Sequence, residues 1–256
     1  DRMNLRPCQS FAMLMAASSA QYVMFCDQDD IWHPQKMEKT LAAMQDMERR
    51  HGGGTPLLVH SDLEVVDSEM RTISPSLWNY QRLNPANAGK LGCQLMMNAV
   101  TGCAMMANRP LLEKALPLPH GAIMHDWWLA LVASAFGVVA EVPEPLIKYR
   151  QHSASSIGAK KASVTKMFLR FCSRFLGSSA TRKARYDENQ KSINAQQGQG
   201  KCLREKFENE LTPSQLAVID ASLSLYRWPK VLRLYPQLRY GLLRTGFLRN
   251  IAVALH

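Results

Sequence analysis

The sequence predicts an α/β fold built on a sheet and followed by a mainly helical, basic C-terminal region. Three observations predict it. Helix-like and strand-like segments alternate through residue 150. The apolar fraction is 46% over 256 residues, enough for a sizeable core. Charge is unevenly divided: residues 1–159 carry 13 Lys/Arg against 15 Asp/Glu, and residues 160–256 carry 18 against 6. That split implies two parts with different surfaces, about 1–158 and 159–256.

Along the first part, FAMLMAASSA (Phe11–Ala20) suits a helix, and QYVMFC (Gln21–Cys26) a buried strand. Pro34 opens a second helix, whose Met37, Leu41, Met44 and Met47 recur on one face and which ends at Gly52-Gly53-Gly54. PLLVHSDLEVVD (Pro56–Asp67) reads as a strand. VTGCAMMA (Val100–Ala107) is a short apolar segment in which Gly102 signals close backbone approach. Asp126–Phe136 is helical, and Val138–Val142 and Leu146–Tyr149 read as two short strands around two prolines.

After Gly158 the chain turns basic, with an apolar period at Val164, Met167, Phe168, Phe171 and Phe175. Asn189–Gly200 reads as a polar linker. Leu216–His256 returns to helix-like sequence. From Arg227 onward it interleaves six basic residues and no acidic ones with Trp228, Tyr235, Tyr240 and Phe247. That composition suits an interfacial amphipathic helix on an anionic membrane surface, or helices with a solvated basic face. A nucleic-acid partner is not expected, because no binding motif accompanies the charge.

The longest apolar run, Trp127–Ala140, contains Gly137 and falls short of the ~18 residues that a spanning helix needs. Six cysteines are scattered without a CxxC pair, which fits reduced thiols in a compartment such as the cytosol.

The chemistry concentrates at three places. In FCDQDDIW, Asp27, Asp29 and Asp30 crowd the end of a strand. Two carboxylates about 4 Å apart repel by roughly 4 kcal/mol near a protein surface. One acid could cap the helix after Pro34. The others could be solvated, or held by a hard divalent ion, Mg²⁺ or Mn²⁺, which is the economical alternative. In MHDWW, Asp126 opens a helix between large aromatics, as an N-terminal cap or as a general base. The helix end lowers its pKa and burial raises it. In YRQH, Arg150 offers a fork for phosphate, and His152 a ligand acceptable to Mn²⁺.

In order and spacing, FCDQDDIWHPQKME, SDLEVVD, NAVTGCAMMANRPLLEKALP, MHDWWLALVASAFG and IKYRQHSASSIGAK resemble the family 2 glycosyltransferases, most closely their rhamnosyltransferase-like branch. The resemblance implies a GT-A fold, a nucleotide-diphospho-sugar donor, and a polysaccharide or lipid-linked glycan acceptor at the inner membrane face. It implies that Asp27 and Asp29 form the DxD element on the metal and donor, with Asp30 and Arg150 on the donor diphosphate and His152 in the metal shell. It also implies Asp126 as catalytic base and Gly102 and Trp127 on the acceptor side. His125 stands where many members carry Glu. The family's first strand, Gly-containing loop and DDGS-like element find no counterpart here. The expectation that follows is weak donor binding by this chain alone, with a non-catalytic remnant as the alternative to an active enzyme.

Overall fold

In the computed structural model, which describes residues 7–151, 179–246, 249–251 and 253, the chain begins with α1 (Pro7–Ala17), β1 (Tyr22–Met24) and β2 (Ile31–Trp32). It continues through α2 (Lys36–His51), β3 (Leu57–Val66), β4 (Thr72–Ser74), α3 (Leu77–Gln81) and α4 (Leu91–Met96). A 3-10 turn (Gly102–Ala104) leads into β5 (Met105–Asn108), α5 (Arg109–Ala115), α6 (His125–Phe136) and β6 (Val138–Arg150). The C-terminal part holds α7 (Ser179–Lys206), α8 (Pro213–Ser224) and α9 (Leu234–Arg239).

The strands form one mixed sheet in the order β1-β5-β3-β6-β2, with β4 added to β3. Only β3 and β6 run parallel; the other pairs are antiparallel. Side-chain alternation divides the core between the two faces. Leu57 and Val59 of β3 and Met106 of β5 pack with Met44 and Met47 of α2. Leu58, Met105 and Ala107 point the other way, into a core built around α6. From Trp128 to Ala133 every residue of α6 is buried, so the longest apolar run of the sequence is a central core helix. Gly137 ends it, where a Cβ would lie 1.7 Å from the Pro56 carbonyl oxygen that accepts from Val138 N–H.

Four expectations are corrected. The strands expected around the prolines are one strand, β6. Pro143 and Pro145 lack N–H groups, and the register against β3 shifts between Ser61 and Asp62 as the prolines pass. The helix after Pro34 starts at Lys36, following a turn in which Lys36 N–H donates to the His33 carbonyl. Its buried face is Lys36, Thr40, Met44 and Met47, leaving Met37 62% exposed. The expected linker Asn189–Gly200 lies within the 28-residue helix α7. Its polar residues serve tertiary bonds: Gln199 is buried and accepts from Ile123 N–H, and Gln197 donates to the Leu223 carbonyl. Finally, the basic stretch from Arg227 is no single amphipathic helix but two 3-10 turns and the six-residue α9.

The helical C-terminal part packs into the same core as the sheet domain: Leu203, Phe207, Leu211 and Ile219 join the cluster that holds Phe25, Leu58 and Trp128. The expected basic helix with Val164, Met167, Phe168, Phe171 and Phe175 lies outside the described residues. No described helix is long and apolar enough to cross a membrane.

Candidate active site

The site forms where β1 ends, and strand register assembles it. β1 runs antiparallel to β5 with Met24 opposite Met106, so the residues after β1 come alongside those before β5. Those are the Asp27–Asp30 turn, closed by Asp30 N–H to the Asp27 carbonyl at 3.4 Å, and the 3-10 turn Gly102–Ala104. β2 then pairs Ile31 with Lys148 of β6. Asp30 is thereby set against the end of β6, where its Oδ1 accepts from Arg150 N–H at 3.1 Å.

The ligand atoms of Asp27, Asp30 and Cys103 lie within 4.8 Å of one another. The group differs from the expected Asp27/Asp29 pair: Asp30 and a thiol stand beside Asp27, while Asp29 acts on both carboxyls through its charge. Burial pushes the Asp30 carboxyl up to about 6, against hydrogen bonds from the Cys103 thiol and Arg150 N–H. Asp27 is raised too, by burial first and then by Asp29. Burial and the two carboxylates hold the Cys103 thiol well above its ordinary range. Asp30 Oδ2 is buried without a hydrogen-bond partner among the described residues. Two carboxylates at the mouth of the turn, one with an oxygen left open, fit a hard divalent cation.

Asp126 reaches the same place from α6. Gly102 N–H donates to its Oδ2 at 3.1 Å and Trp127 N–H to its Oδ1 at 2.6 Å. A Cβ at 102 would press on His125 Nε2 at 3.0 Å, so a larger residue there needs the imidazole to shift. Of the two influences on the Asp126 carboxyl, burial wins. It lifts the pKa to about 6 against both N–H bonds, and the charge of Asp27 adds to the rise. Trp127 is half-buried, with its indole N–H donating to the Gln94 carbonyl at 2.7 Å.

His125 is buried against Phe11 and Phe25, with ring centroids 4.1 and 5.0 Å away, and burial lowers its pKa to about 4. It is a neutral packing residue under the turn. Arg150 Nε is buried with no partner among the described residues, and His152 lies outside them. The SDLEVVD acids have structural duties. Asp62 accepts from Ser76 Oγ, Trp78 N–H and Leu63 N–H, and Asp67 holds the turn to Arg71.

Sequence reasoning missed Cys103 and Lys36. Cys103 follows Gly102 in the quoted TGC, and Lys36 lies in HPQKME. Their approach to the acids comes from the β1–β5 register, which no spacing along the chain announces. Of the other described cysteines, Cys8 and Cys93 are buried, Cys202 is half-buried, Cys26 is exposed, and all four are free, as is Cys103. Comparison with protein-family models and with curated proteins finds no match for this chain.

Proposed function

We propose that this chain carries out inverting sugar transfer from a nucleotide-diphospho-sugar, in the manner of a family 2 glycosyltransferase of GT-A type, to a polysaccharide or lipid-linked glycan acceptor. Rhamnose is the sugar that the resemblance favours. One observation carries the reading. The Gly102–Ala104 turn lies against one carboxylate pair, Asp27 and Asp30, and bonds a third, half-buried carboxylate, Asp126.

A Mg²⁺ or Mn²⁺ ion held by Asp27 and Asp30, with Asp29 and His152 as further members of the proposed shell, would supply charge neutralisation on the leaving diphosphate. The chain's own residues do the rest. The buried Nε of Arg150 offers a donor for phosphate oxygen. Asp126 takes the proton from the acceptor hydroxyl as that oxygen bonds to the anomeric carbon and the bond to the diphosphate breaks. With a pKa of about 6, Asp126 is ionised at neutral pH yet more basic than a surface aspartate. Its carboxylate is aimed by two N–H groups, so little reorganisation accompanies the transfer. Gly102 and Trp127 line the acceptor side. One displacement inverts the anomeric carbon. An anionic membrane surface is the proposed location of the acceptor.

Calorimetry with Mn²⁺ and a nucleoside diphosphate, followed by donor-turnover assays, tests this. The expected result is joint binding that Asp27→Asn abolishes. Asp126→Asn retains that binding and loses turnover by at least about a hundredfold. Absence of joint binding, or affinity for nucleic acid in its place, overturns the reading. Joint binding with no turnover in the parent chain leaves a binding remnant.

A further inference from the structure

Lys36 is the most deeply buried cation of the described residues, with no exposed surface at all. It sits at the start of α2, six positions after the last acid of the turn. Its ammonium donates to the Cys103 carbonyl at 2.9 Å and lies 3.3 Å from the centroid of the Trp32 ring. Those partners are a carbonyl and an indole ring rather than a carboxylate. Burying an ammonium without a bonded counter-ion is costly, and an apolar residue of similar length would fill the space. What an apolar residue cannot do is bind the Cys103 carbonyl.

That carbonyl belongs to the 3-10 turn whose first N–H, on Gly102, donates to Asp126. The same turn carries the Cys103 thiol to Asp27 and Asp30. Three residues therefore connect every carboxylate of the site, and Lys36 grips the middle one. We infer that Lys36 is a positioning residue, tying the Gly102–Ala104 turn to α2 so that Gly102 N–H stays aimed at the Asp126 carboxylate. Its catalytic consequence rests on the transferase reading given above; the tie itself does not.

The mechanism separates the effect from general stability. The buried face of α2 continues through Met44, which packs under the sheet with Leu57 and Leu146 and belongs to a different core cluster from Cys103. Weakening α2 at Met44 loosens the helix without releasing the carbonyl. Weakening it at Lys36 releases the carbonyl directly.

Amide hydrogen exchange at Gly102, followed by NMR in the full chain, tests the tie. Lys36→Met is expected to speed Gly102 exchange at least about fivefold, the value of one ordinary hydrogen bond, whereas Met44→Ala lowers the Tm and leaves Gly102 close to the parent. Lys36→Arg, which keeps a cationic donor, is expected to restore part of the protection. Should Lys36→Met fail to fold, Lys36→Gln decides, because a neutral amide costs less to bury than an ammonium and stops short of the carbonyl. Unchanged Gly102 exchange in the folded Lys36 variants, or equal acceleration in Met44→Ala, overturns the proposal. Where turnover is measurable, Lys36→Met lowers kcat with little change in donor KM. A parent chain without turnover counts against the transferase reading alone, since the exchange result stands independently of it.

Discussion

Asp126 combines two demands that oppose each other, and its titration makes the conflict measurable. Its carboxyl ordinarily releases a proton near 3.8 and in the folded chain does so at about 6. Between those values the folded state binds the proton more tightly than the unfolded chain. Stability therefore falls as pH rises through that window and levels off above it. Asp126→Asn removes the penalty while sacrificing one N–H acceptor, so a gain of roughly 1–2 kcal/mol at pH 7.5 is expected. The gain should vanish below pH 4, and thermal unfolding of the variant at both pH values checks this. His60 and His125 act with the opposite sign. Burial lowers each from its ordinary value of 6.5 to about 4, so their contribution is lost as pH falls through that range. The parent should show a shallow pH dependence between 4 and 6.5, and Asp126→Asn a steeper acid-side loss. A variant less stable than its parent at pH 7.5 would mean that its N–H acceptors outweigh the burial cost. The same pKa places the rise of any Asp126-dependent rate at about pH 6.

Among the elements, α2 shows how a single polar anchor sets a helix's rotation. Its methionines recur at a helical interval, and by pattern alone Met37 belongs with Met44 and Met47. Lys36, held by Trp32 and Cys103, turns the helix so that Met37 faces solvent and Thr40 faces in, its hydroxyl donating to the Lys36 carbonyl. Met44→Ala should then cost about 2–4 kcal/mol, as other buried methionine truncations do, while Met37→Ala stays within ~0.5 kcal/mol. Urea unfolding of the two variants decides between the pattern and the anchor: equal losses would restore the pattern. The helix α7 makes a related point. Its Gln- and Gly-rich middle lacks an apolar stripe, and one of its glycines serves close packing. Gly200 stands where a Cβ would press on Leu95 at 3.2 Å. At a separate contact, a Cβ on Gly121 would strike Cys202 Sγ at 2.7 Å.

At the scale of the whole molecule, three of the six basic residues from Arg227 onward turn toward the protein. Arg233 is buried and donates to the Trp228 and Tyr226 carbonyls, Arg249 to the Gln81 carbonyl, and Arg244 to Gln196. Arg227, Lys230 and Arg239 stay exposed. Beside them α9 presents Leu234, Tyr235 and Leu238, the last 71% exposed, with Leu232 just before it. Three cations near an anionic leaflet contribute about 1 kcal/mol each, and the leucines add apolar burial, so the membrane expectation now rests on this smaller patch. Co-sedimentation with phosphatidylglycerol vesicles at low salt, release at high salt, and loss of binding in Leu238→Glu are the expected results. No sedimentation at low salt removes the membrane from the proposal.

The alternation of helix and strand through residue 150, the long β3, the helix from Asp126 to Phe136 and the crowding of Asp27, Asp29 and Asp30 were legible along the chain. Local composition and periodicity determine them, and each depends on neighbours within a few positions. Which acids meet was not legible. Asp30 rather than Asp29 joins Asp27, and Cys103 joins both, because β1 pairs antiparallel with β5 and β2 with β6. The rotation of α2, the helicity of Asn189–Gly200 and the inward arginines have the same origin. Lys36 meets Cys103, Gln199 meets Ile123 and Arg249 meets Gln81 across tens of positions, and a one-dimensional pattern carries no term for such a partner. Charge crowding in FCDQDDIW was determined by the sequence. The enclosure that raises those carboxyls exists only once the sheet, the Gly102–Ala104 turn and α6 have come together.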